Sequence, residues 1–244
     1  ISDVHLGTED ADIEGLVKNL RYASQQDNAL VFFLGDIMNT AIRDSVSDIY
    51  AEEFSPHQQM QIFEKVVKLA KGNLEVPKYI NALFEKKQIF MPDKEFRYLG
   101  GENSKIATMN EGNHEARISK AVGISPTQIV AEAAGEKDAY SPYFSHTEIL
   151  LKNDLGDEGA IPFRIVCHHG TGLRNVDDMI RKYSSMVSGA DVYVMGHRHS
   201  YIETVFRTEN VKKDEKTEEH YREYKDSIAM SLPSSGGGPY AAGM

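Results

Sequence analysis

The sequence predicts an α/β layered domain, and three observations carry that prediction. Short apolar runs rich in β-forming residues appear at 29–36 (ALVFFLGD), 105–114 (KIATMNEGNH), 163–170 (FRIVCHHG) and 191–199 (DVYVMGHRH). Between them, apolar residues recur at helical spacing. Each run breaks abruptly at Gly, His, Asn or Asp. Strands alternating with helices build layered α/β folds. The chain has 244 residues, 41% of them hydrophobic. That is enough for one large core, so a single domain over residues 1–244 is expected.

The opening ISDVHLG reads as the tail of a strand, with its first strand apparently truncated. Ile13, Leu16, Val17 and Leu20 then follow helical spacing. The segment SPHQQMQIFEKVVKLAKG carries Ser55 as N-cap, Pro56 in the first turn, Gln58 three residues after the cap and Gly72 past the end. Ser125, Pro126, Gln128 and Gly135 repeat the device. Val176, Met179, Ile180, Tyr183 and Val187 predict a further helix before the last apolar run. Residues 40–104 are the longest stretch without a chemical motif and read as a mostly helical insertion. Segment 208–226 has 12 charged residues in 19, so it reads as a solvated hairpin tip. The C-terminal SLPSSGGGPYAAGM reads as a glycine-rich loop.

Composition removes several classes of function. No stretch approaches the ~20 apolar residues of a membrane span, so no membrane partner is expected. Lys and Arg number 27 against 37 Asp and Glu, a formal net charge of −10. That balance opposes broad, non-specific nucleic-acid binding, which needs basic surface. Cys167 is the single cysteine, so no intrachain disulfide forms. A reducing, cytoplasmic setting is the expectation, although this N-terminus cannot show a cleaved leader.

The polar residues at the strand ends form the chemical pattern. Asp3 and His5 come first, then Asp36, Asn113 with His114, His168 with His169, and His197 with His199. In open α/β sheets that edge binds ligands. Residues i and i+2 of a strand share a face, which puts His197 and His199 together. Oxygen and imidazole donors without a thiolate suit Mn, Fe, Zn, Co or Ni better than a structural zinc site.

In combination, SDVH (2–5), GD (35–36), GNHE (112–115), CHHG (167–170) and GHRH (196–199) resemble the successive motifs of the calcineurin-like metallophosphoesterases. GNHEAR is more similar to bacterial or phage members than to Ser/Thr protein phosphatases. The resemblance implies a four-layer α/β/β/α sandwich holding two divalent metal ions, manganese first, with Fe, Zn, Ni or Co as alternatives. It implies that Asp3, His5 and His199 hold one ion, that Asp36 bridges both, and that Asn113, His197 and one of the paired histidines hold the other. A His-x-Pro/Gly reading selects His168 and a His-Gly reading selects His169; His168 is the assignment taken.

His114 matches the family's catalytic histidine. Arg117, three residues on, is a candidate for contacting phosphate oxygens, with a plain surface arginine as the alternative. Thr171, Gly172 and Arg174 are weaker candidates of the same kind. Asn39 stands where the family often has Asp, a supporting position. Tyr140 and Tyr143 suggest packing more than a pocket lining. The implied reaction is hydrolysis of a phosphodiester or phosphomonoester by a metal-bridging hydroxide. The substrate would be a nucleotide, a nucleic acid or a small molecule. The alternatives are a metal-dependent DNA or RNA nuclease and a non-catalytic scaffold of the same fold. Oligomeric state is not readable from the sequence.

Overall fold

A computed structural model describes residues 1–42, 52–70, 104–153, 156–170, 187–213 and 220–235, with isolated positions between 175 and 182. The architecture is mixed α/β. Helix α1 (Ile13–Gln25) is followed by strand β1 (Val31–Phe33), α2 (Pro56–Ala70) and β2 (Ile106–Asn110). Then come α3 (Glu115–Val122), α4 (Pro126–Ala133) and β3 (Tyr140–Ser141). The remaining strands are β4 (Phe144–Asn153), β5 (Gly156–His168), β6 (Val192–Met195), β7 (Ile202–Lys213) and β8 (His220–Ser231).

Two sheets result. The first is parallel, in the order β1-β2-β3. The second runs β4-β5-β6-β8-β7, parallel through β5, β6 and β8 and antiparallel at both outer pairs. The opening residues lie along the chain that leaves β1. Asp3 N donates to the Gly35 carbonyl at 3.1 Å, His5 N to Asp36 at 3.0 Å and Leu6 N to Ile37 at 2.8 Å. This pairing carries the first motif to the end of β1.

The helices begin where their sequences dictate. Asp12 caps α1 by accepting from Gly15 N at 2.8 Å. Ser55 and Gln58 form a reciprocal box before α2: Gln58 Oε1 accepts from Ser55 N at 2.9 Å, and Ser55 Oγ accepts from Gln58 N at 3.4 Å. Ser125 caps α4 in the same way. The principal core joins Leu16, Val17 and Leu20 of α1 to Phe63, Val66 and Val67 of α2, and to Phe33, Met109 and Val130. Phe33 and Phe63 meet edge to face with centroids 5.2 Å apart. Each such side chain contributes about 1.5–3 kcal/mol by leaving water. A smaller core of Val166, Ala190, Tyr193, Met195 and Ala229 lies on the second sheet.

Two elements differ from the sequence reading. Strand β4 is not anticipated, because polar residues outnumber its short apolar run, and Leu150 and Leu151, on opposite faces, are both exposed. The charged 208–226 segment is mostly ladder. Its strands pair as far as Lys213 opposite His220, with Arg207 on Asp226 and Lys212 on Glu223. Residues 43–51 and 71–103 of the expected insertion lie outside the described residues, as do most of the 176–187 helix and residues 236–244. Among the described residues, no helix is long and apolar enough to cross a membrane.

Candidate metal centre

Backbone strain marks the site before any side chain is considered. Among the described residues, six non-glycine positions have positive φ: Asp3 at 53°, His5 at 53°, Asp36 at 50°, Thr40 at 44°, His197 at 68° and His199 at 54°. A left-handed conformation costs an L-residue about 1–2 kcal/mol, so each must be held by its surroundings. All but Thr40 were ligand candidates from sequence. Asp36 follows β1, and His197 and His199 follow β6, so these turns swing a carboxylate or imidazole out at a strand end.

Close backbone approach then gathers the turns. A Cβ on Gly112 would lie 2.2 Å from both the backbone N and Oδ1 of Asp36. A Cβ on Gly196 would lie 1.8 Å from Ser2 Oγ and 2.6 Å from Asp3 Oδ2. The sequence suggests that Gly196 serves a tight turn. The chain does turn tightly there, Arg198 N donating to the Gly196 carbonyl at 2.8 Å, but the positive φ falls on His197, and Gly196 itself leaves room for the first motif. His197 N donates to both Asp3 oxygens at 3.1 and 2.9 Å, which ties the β6 tip to that carboxylate.

Among the described residues, the side chains converge in three overlapping groups: Asp3, His5 and His199; His5, Asp36 and His114; and Asp36, His169 and His197. Within each, one potential ligand atom per residue lies within 4.8 Å of the others. His199 Nε2 is 3.2 Å from Asp3 Oδ1, and His169 Nε2 is 3.1 Å from Asp36 Oδ2. Asn113 Oδ1 lies 3.0 Å from the same His169 nitrogen. The ring centroids of His5 and His114 are 4.5 Å apart, and those of His169 and His197 are 5.2 Å apart.

The structure therefore brings Asp3, His5, Asp36, Asn113, His114, His197 and His199 together. It does not bring His168, the histidine chosen from sequence, into any of these groups. His168 Nδ1 accepts from Gly170 N at 2.6 Å. The position expected of His168 is filled by His169, whose Nδ1 donates to the Leu34 carbonyl at 2.9 Å, across the gap to the end of β1. Adjacent residues at a strand end face opposite ways, so only one of the pair reaches the site. Two motif readings fitted the sequence and His168 was preferred, but the Leu34 partner that favours His169 is distant in sequence.

The electrostatics suit cation binding. Burial favours raising the pKa of Asp36, but the charges of His169, His114 and His5 hold it well below the usual carboxylate range. Burial opposes ionisation of Asp3 too, yet the His199 hydrogen bond, the His169 charge and the Ser2 hydroxyl keep its pKa low. Burial chiefly pulls His5 down to about 4 and lowers His114 and His197. These rings are therefore neutral near pH 7, the form that can ligate a metal. His169 is the opposite case. Burial is outweighed by Asp36, which pushes it up to about 9. Both of its ring nitrogens face oxygens, as a protonated imidazole requires. Its Nε2 proton thus sits between the Asp36 carboxylate and the Asn113 amide oxygen, where a bound cation would replace it. Carboxylate, amide and imidazole donors converging without a thiolate fit divalent ions.

Supporting contacts complete the site, and sequence reasoning missed most of them. The buried Glu115 carboxylate accepts from the backbone N of Asp36 at 3.0 Å, of Met38 at 2.8 Å and of Gly112 at 3.0 Å. Burial, followed by the charge of Asp36, pushes its pKa up to about 8. Glu115 was visible within GNHE, but nothing in the sequence disclosed its partners. His114 N donates to Asp36 Oδ1 at 2.8 Å, and His114 Nδ1 lies 3.1 Å from the Asn39 carbonyl. Arg117 approaches His114 Nε2 at 3.1 Å, so its guanidinium stands at the site. Tyr140 donates instead to Glu111 at 2.9 Å, and Tyr143 is exposed. Thr171, Gly172 and Arg174 lie outside the described residues.

Comparison with protein families matches residues 1–201 to the family described as Metallophos, calcineurin-like phosphoesterase. No curated protein matches the chain.

Proposed function

The chain belongs to the calcineurin-like phosphoesterase family, and from that premise we propose that it is a dinuclear enzyme hydrolysing phosphodiester or phosphomonoester bonds. Family membership and the Asp/His cluster support metal-dependent phosphoester hydrolysis. The dinuclear form, the residue roles, a single domain over residues 1–244 and four-layer stacking are our reading. The observation that carries the dinuclear form is the overlap of the ligand groups: Asp36 belongs to one with His169 and His197 and to another with His5 and His114. In this reading Asp3, His5 and His199 hold one ion, Asn113, His169 and His197 hold the second, and Asp36 serves both.

Divalent ions held there would activate water near neutral pH and neutralise charge on a phosphoryl oxygen. Manganese is the first choice, because the donor set is hard to borderline. The protein's own residues do the rest. Asn39 accepts the Nδ1 proton of His114, which leaves Nε2 facing the cluster, 3.8 Å from Asp36 Oδ2. From there Nε2 would take up the proton released by the attacking water and pass it to the leaving oxygen, a contribution typically worth ~10²–10⁴ in rate. Arg117, in contact with that nitrogen, offers a guanidinium to phosphate oxygens.

The test is turnover of a chromogenic phosphodiester and the matching monoester by metal-stripped protein with Mn²⁺, Zn²⁺, Ni²⁺ or Mg²⁺ restored. Metal-dependent turnover that His114→Ala loses supports the reading, and the preferred ester narrows the substrate class. Absence of turnover with every ion and both esters counts against it.

A further inference from the structure

Thr40 is the strained residue that no ligand role explains. It is β-branched, fully buried and held at φ 44°. Such a conformation is a genuine outlier that persists only when its neighbours over-determine it. Three contacts do so. Thr40 Oγ1 donates to the His114 carbonyl at 2.6 Å. Thr40 N donates to Gln59 Oε1 at 2.8 Å. The preceding carbonyl, that of Asn39, receives His114 Nδ1. The Asn39–Thr40 backbone is therefore the bed on which the His114 ring lies.

That bed is fixed from α2 and the residues before it. Gln59, fully buried, uses its amide nitrogen to donate to the Phe54 carbonyl at 2.8 Å and to Glu52 Oε2. The other Glu52 oxygen accepts from the Asn39 side chain. One carboxylate thus joins Asn39 to Gln59, and the charge of Arg117 also acts on it. None of these residues belongs to the strand-end motifs.

We propose that Glu52 and Gln59 are positioning residues for His114. They lock the strained Asn39–Thr40 backbone so that His114 keeps its proton on Nδ1 and aims Nε2 into the site. The inference rests on the role assigned to His114 above, but its geometry can be tested separately. It gives α2 a catalytic duty that its place in the expected insertion did not suggest.

The charge arrangement supplies the test. Gln59→Glu sets two carboxylates against each other, whereas Gln59→Glu with Glu52→Gln restores one donor between them. The first readout is the side-chain ¹⁵N spectrum of His114 in metal-free protein, which reports the tautomer without any turnover. We expect a fixed Nδ1–H form in the wild type, exchange averaging in Gln59→Glu and recovery in the double variant. The second readout is turnover with Mn²⁺ restored. Gln59→Glu should lose roughly 10–100-fold in kcat with KM and metal content unchanged, the size usual for a group that orients a site residue, and the double variant should regain most of it. An unaltered His114 spectrum in Gln59→Glu would overturn the proposal, and so would a double variant no better than the single one. If His114→Ala turned over like the wild type, the functional reading would fail, and the spectrum would still decide the positioning claim.

Discussion

The strand tips and the β7–β8 hairpin are both dense in ionisable side chains, and they use them in opposite ways. On the hairpin the charges are exposed and paired across the ladder: Arg207 reaches its register partner Asp226 through two nitrogens at 2.6 and 2.8 Å, and Arg222 reaches Glu209 diagonally at 3.1 Å. The backbone there is ordinary extended strand, and exposed pairs of this kind are worth little. At the tips the groups are mostly buried, like donors crowd together, and five of them sit on left-handed backbone. The number of charges does not separate a functional region from a solvated one. Burial of crowded metal-ligand groups, with strain to maintain it, does.

The widest gap between the two regions comes from Asp36. Asp36→Ala removes the residue shared by two ligand groups, and metal content by mass spectrometry should fall with a loss of at least ~10³-fold in turnover. His114→Ala should keep the metal but lose ~10²–10⁴-fold in kcat, read by steady-state kinetics beside a metal assay. Gly196→Ala comes next, because its Cβ would strike Ser2 and Asp3. A destabilisation of about 1–3 kcal/mol is expected in denaturant unfolding, together with weaker metal binding.

Lys65 tests whether buried charge alone marks function. It lies on α2 at 2% exposure, and its Nζ makes no hydrogen bond among the described residues. Burial, with help from the Lys68 charge, lowers its pKa to about 8. The unfolded chain, with a pKa near ~10.4, binds the extra proton between those values, so folded-state stability rises with pH through that window. Lys65→Met should stabilise the protein by about 1 kcal/mol below pH 8, with the advantage over wild type shrinking as pH approaches 10. An advantage that does not change with pH would assign the effect to packing. The smallest effect belongs to the hairpin, where Arg207→Ala should leave the denaturant midpoint nearly unmoved and turnover unchanged.

Much of this was legible in the sequence because the chemistry sits in short motifs at strand ends. Asp3, Asp36, Asn113 and His197 each follow an apolar run or close a turn, and the α2 capping box could be read directly from Ser55 and Gln58. Two kinds of information were not local. The choice of His169 over His168 depends on the Leu34 carbonyl, 135 residues away, and the roles of Glu115, Thr40 and Gln59 depend on backbone N–H groups that any residue would present. Strand β4 escaped because its many polar residues dilute the apolar pattern on which strand recognition relies.

The central claim is two metal ions on one set of strand tips, and its most direct test is stoichiometry. Metal-stripped protein would be titrated with Mn²⁺ and the bound ions counted per chain by calorimetry and by mass spectrometry after desalting. The account predicts two ions for the wild type, one after His169→Ala and two after His168→Ala. A wild type that binds at most one ion in excess Mn²⁺, or a His168→Ala variant that loses one while His169→Ala keeps both, would contradict it.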